Sequence, residues 1–74
     1  MDLANLVRMA NRIGDFFEAM PDADDARAGI AQHLQRFWEP RMRRELVAHV
    51  DAGGETELKP IVIEAIGRHR DQLV

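Results

Sequence analysis

The chain has no cysteine and no tyrosine, and only one tryptophan, three phenylalanines and three prolines among its 74 residues. Without cysteine there can be no disulfide, thiolate zinc site, iron–sulfur ligation or cysteine nucleophile on this chain. No apolar run approaches the roughly 20 residues that a membrane span needs. Residues 1–20 carry Asp2, Arg8, Arg12, Asp15 and Glu18, so they lack the uncharged apolar centre of a secretory signal. The expected setting is therefore soluble and cytoplasmic. Positive charge is also in short supply. Lys and Arg total 10 against 13 Asp and Glu, a net charge of −3, which argues against binding polyanions over the whole surface. There is no Gly-rich phosphate loop, nucleophile elbow, Ser-His-Asp motif or metalloprotease-type His spacing. An enzyme in its own right is the least supported class.

What is present is helical patterning in a single small domain, residues 1–74. The expected fold is all-α, a small bundle of three to four short helices with tight connections, over about 3–20, 24–37, 40–52 and 59–72. Asp2 is a candidate N-cap for the first helix, and Pro21 stops it. Asp22, Asp24 and Asp25 favour a helix start through the macrodipole. Pro40 and Pro60 suit first turns, and Gly53-Gly54 suits a helix end. The apolar stripes are Leu3, Leu6, Val7, Met9, Ala10, Ile13, Phe16, Phe17 and Met20; Ala26, Ile30, Leu34 and Phe37; Met42, Leu46, Val47, His49 and Val50; and Ile61, Val62, Ala65, Ile66 and Leu73. Ile63 points away from its stripe, and Glu64 with Arg68 forms an i,i+4 pair. A chain this short buries little surplus over its conformational entropy. With no disulfide to brace it, a partner surface would help.

Two features point outward. The apolar arc of the first helix spans about 180° on a helical wheel, wider than the ~100° one core face needs. Met9, Phe16 and Met20 lie along its spare edge. They either serve a second neighbour within the bundle or meet another chain. The second feature is the corner between helices two and three, where Arg36, Arg41, Arg43 and Arg44 surround Trp38. Trp and Arg are frequent anchors of protein interfaces, and an aromatic with arginines can also hold nucleic acid. Trp38 itself suits a core seal between two helices, with its indole N–H needing an acceptor. Arg43 falls inside an apolar stripe, so its guanidinium needs a specific partner. His33, His49 and His69 lie on three different helices without ligand spacing, which fits core boundaries better than a metal site.

Three stretches carry a family resemblance: LVRMANRIGDFF over 6–17, AQHLQRFWEPRMR over 31–43 and LKPIVIEA over 58–65. Together they resemble the delta subunit of bacterial NAD-dependent formate dehydrogenases that contain molybdenum or tungsten. The resemblance implies a non-catalytic accessory subunit linked to assembly or stability of the holoenzyme. It implies that the molybdopterin cofactor, iron–sulfur clusters and flavin sit on partner subunits, and none on this chain. It implies the large formate dehydrogenase subunit as partner; the spare apolar edge, independently, leaves a homodimer open for the isolated chain. No catalytic, cofactor-binding or metal residue carries over. The expected contact residues are Met9, Phe16, Met20, Trp38, Arg41, Arg43 and Arg44. A self-associating or nucleic-acid-binding module using the Arg36–Arg44 corner is the alternative.

Overall fold

The computed structural model describes residues 2–53 and 57–74. Among these the order is α1 (Leu3–Phe17), α2 (Ala23–Phe37), α3 (Pro40–Asp51), α4 (Pro60–Arg68) and a one-turn α5 (Arg70–Leu73), with no strand. The all-α reading holds. The starts follow local chemistry. Asp2 accepts hydrogen bonds from the amides of Ala4 and Asn5 at 2.8 and 3.4 Å. Asp22 accepts from the Asp25 amide at 3.0 Å. Pro40 and Pro60 open α3 and α4, where no amide donor is needed. Gly53 follows α3 at φ +90°, a left-handed value that favours glycine; its expected companion Gly54 lies outside the described residues.

Two helix ends differ from expectation. α1 closes at Phe17 rather than Met20. A proline at 21 cannot supply an amide to the Phe17 carbonyl and would crowd it, so the last turn loosens and Met20 bonds to Phe17 as a turn. The final helix is broken at His69, where the backbone reaches φ −116°, ψ 30°. That bend starts α5 and turns Leu73 into the core, where it is 1% exposed.

The core is one cluster built from every helix, with Leu6, Ile30, Leu34, Leu46, Val62, Ile66 and Leu73 sealed from solvent. α2 runs through the middle and packs on α1, α3, α4 and α5. Gly14 allows α1 to approach α4 closely: a Cβ there would lie 2.7 Å from a Val62 methyl carbon. Asn11 ties the same two regions by polar means. Its amide donates to the Glu57 carbonyl at 3.1 Å, and its oxygen accepts from the Lys59 amide at 2.9 Å. Ile63 packs on the core instead of facing away, because α4 is bordered by more than one helix.

Candidate protein-contact surface

The corner residues divide sharply. Trp38 is 5% exposed and belongs to the core cluster, so its side chain seals the joint between α2 and α3 and offers no surface to a partner. Arg43 is partly buried and spends its donors inside the molecule. Nη1 donates to the carbonyls of Gln35 and Trp38, each at 2.9 Å, and Nε donates to the Leu73 carbonyl at 3.4 Å. This is the specific partner its place on an apolar stripe demands, and it takes Arg43 out of the exposed set. Arg36, Arg41 and Arg44 remain in solvent, and none of them enters an ion pair among the described residues.

The apolar edge of α1 also divides. Met9 is partly buried against the core, with the Asn5 amide donating to its sulfur at 3.8 Å. Phe16 stands 74% exposed and Met20 38% exposed. Phe16 is joined by a residue that the sequence pattern assigned to the core. Phe37 is 70% exposed, in the last turn of α2, although its angle on the helix falls within the Ala26–Ile30–Leu34 stripe. Between the two lie Phe17 and His33. Phe16 and Phe17 meet edge to face with ring centres 5.1 Å apart, Phe17 and His33 at 6.4 Å, and His33 and Phe37 at 4.8 Å. The result is an aromatic seam along the α1–α2 junction. An open apolar groove runs beside it, lined by Arg12, Ile13, Phe16, Phe17 and His33.

Gly29 makes the seam possible. A Cβ at that position would lie 2.5 Å from the Phe17 ring, so only glycine lets the ring lie across α2. A glycine inside a helical run was the sequence signal that could have revealed this close approach.

Several other charges pair across the bundle. Arg27 bridges Asp24 at 2.6 Å and Glu64 at 2.8 Å, and Arg68 adds a contact to Asp24 at 3.0 Å. Glu64 and Arg68 therefore turn to α2 instead of to each other, because Arg27 and Asp24 offer each a partner across the helix junction. Lys59 holds Asp15 at 2.6 Å and Glu18 at 3.0 Å, and Arg70 pairs with Asp51. The hydrogen bond from Arg27, then the charges of Arg27 and Arg68, hold the Asp24 carboxyl below the usual aspartate range. The Arg70 hydrogen bond does the same for Asp51. The hydrogen bonds that Lys59 donates to Asp15 and Glu18 raise the pKa of its ammonium.

The histidines have separate surroundings. His33 is in the seam, His49 Nε2 lies 3.8 Å from Glu57, and His69 stands within 3.4 Å of the Gln72 amide. Among the described residues no group of three His, Asp or Glu side chains could hold a metal ion. No helix of the described residues is long and apolar enough to cross a membrane.

Comparison with curated proteins and with solved structures finds no match. A family model for the NADH-dependent formate dehydrogenase delta subunit FdsD matches residues 5–66. That span runs from the first turn of α1 through the buried Ile66 of α4, and takes in the aromatic seam, the Trp38–Arg43 joint and the Asn11 tie. With nearly the whole bundle inside the match, the chain belongs to the formate dehydrogenase delta subunit family.

Proposed function

We propose that this chain is a non-catalytic accessory subunit of a cytoplasmic NAD-dependent formate dehydrogenase, binding the large molybdopterin-containing subunit and supporting assembly or stability of the holoenzyme. Family membership across residues 5–66 carries this reading. The aromatic seam supports it physically. Phe16 and Phe37, at 74% and 70% exposure, are large apolar side chains that a free monomer leaves uncovered, and a partner would remove them from water. The chain has no cysteine to supply thiolate ligands to an iron–sulfur cluster, and this reading assigns the clusters, the molybdopterin cofactor and flavin to the partner subunits.

The test is co-purification from native lysate through a tag on this chain, with the companion deletion strain assayed for intact holoenzyme. Near-stoichiometric recovery of the large subunit, and a lower yield of assembled enzyme in the deletion strain, are expected. Recovery of the chain without that subunit would overturn the reading.

A further inference from the structure

We propose that the α1–α2 seam seats one amphipathic helix of a partner formate dehydrogenase subunit, whose apolar stripe is bordered by Asp or Glu. The inference rests on the accessory-subunit reading and adds the surface and the chemistry of its occupant.

The seam has the form a helix requires. His33 and Phe37 are four residues apart on α2, so they form one ridge. Arg12 and Phe16 are four apart on α1 and form a second. The groove between such ridges accepts the side chains of a third helix. Its lining supplies aromatic rings of the kind that anchor helix-in-groove recognition.

Charge selects the occupant. The acids of α1 that could neutralise the groove, Asp15 and Glu18, are drawn to Lys59. Arg12, on the groove wall, has no ion pair among the described residues. Arg36 follows His33 by three residues, so an exposed guanidinium with no ion pair among the described residues stands one turn from His33, beside the groove and outside its lining. Apolar rings between free arginines fit an apolar stripe flanked by carboxylates. A second copy of this chain fits poorly. A two-fold pairing of seams would gather Arg12 and Arg36 of both copies at one interface without adding a carboxylate to match them.

The experiment uses the full chain co-expressed with the other formate dehydrogenase subunits. A photo-crosslinking benzoylphenylalanine replaces Phe16, Phe37 or, as a control on α3, the exposed Ala48. Mass spectrometry then identifies the attached peptide. Adducts from 16 and 37, but not 48, to a segment with apolar residues at helical spacing and flanking Asp or Glu are expected. In the same complex, Arg12→Glu with Arg36→Glu should weaken retention at least tenfold, while circular dichroism and the melting temperature stay unchanged. A complex that forms normally but crosslinks only from 48, or that ignores the double charge reversal, would overturn the seam and leave the accessory-subunit reading standing. Failure of the wild-type chain to join any complex would overturn both. Adducts to a second copy, or a complex lost on nuclease treatment, would also overturn the seam.

Discussion

Arg43 Nη1 donates to the backbone carbonyl of Trp38 at 2.9 Å, so the cation and the indole of the corner form one joint. The indole fills the angle between α2 and α3, and the guanidinium caps carbonyls from α2, the corner and α5. Arg43→Ala should lower stability by about 2 kcal/mol, the scale of charge-assisted bonds left unmade. For a domain of this size that is roughly a 10 °C drop in melting temperature. Arg43→Lys should recover only part of the loss, because an ammonium cannot address carbonyls on several sides. Urea unfolding of the three proteins decides it, and equal midpoints would refute the joint. Arg43→Glu, at a residue expected from the sequence to be a contact, would instead damage the fold.

The glycines should separate by what surrounds them. Gly14→Ala drives a methyl towards a fully buried Val62 that has no room to retreat, and should cost about 1–3 kcal/mol. Gly67→Ala meets nothing within 4 Å in an exposed helical position, and should stabilise by about 0.5–1 kcal/mol. Thermal melts of both variants test the close approach of α1 to α4. A neutral Gly14→Ala would mean that the helices sit farther apart.

Acid should loosen the bundle at a defined place. Asp24 and Asp51 both titrate lower when folded than when unfolded. Their contribution is complete above the ordinary aspartate value of about 3.9 and is lost as the pH falls through the lower folded values. Melting temperature should therefore hold from neutrality towards pH 5 and drop below about 4. Asp24→Asn with Asp51→Asn should flatten that limb. Lys59 is the mirror case: its raised value keeps its contribution whole below the normal lysine range, and it fades as alkali passes the raised value. An acid limb unaltered by the double variant would disprove the assignment.

Exposed seam residues should matter little to the isolated fold. Phe16→Ser and Phe37→Ser are expected to shift stability by no more than about 0.5 kcal/mol, since neither ring is sealed in the core. Trp38→Ala should cost about 3–5 kcal/mol by opening a cavity. Chemical denaturation of these variants separates surface from core. A large loss at Phe16 would place its ring in the core after all.

The sequence discloses what neighbours along the chain decide. Asp2, Pro40 and Pro60 announce helix starts because capping and proline chemistry act within one turn. The apolar stripes give Leu6, Ile30, Leu46 and Val62 for the same reason. What requires knowing which helix lies alongside was hidden. Glu64 and Arg68 read as partners until Arg27 and Asp24 come within reach across the junction. Phe37 reads as core by its angle on α2, yet its ring stands 70% exposed. The misfit of Arg43 on an apolar stripe was visible, but its three carbonyl acceptors come from segments as far away as Leu73. The candidate surface was half legible: Phe16 follows from the over-wide arc, whereas its opposite lip depends on α1 packing across Gly29.

The Asn11 side chain bonds backbone 46 and 48 residues further along, and this bears on the order in which the chain assembles. Neither bond can form until the intervening loop has closed, a step whose entropic cost falls early and whose reward comes late. The clasp is therefore a late event in folding and an early one in unfolding. Once shut, it means that the first helix cannot detach without releasing the approach to the fourth, so opening at one end is felt at the other. In native-state hydrogen exchange the Lys59 amide should report on the departure of α1, a helix that begins more than fifty residues before it.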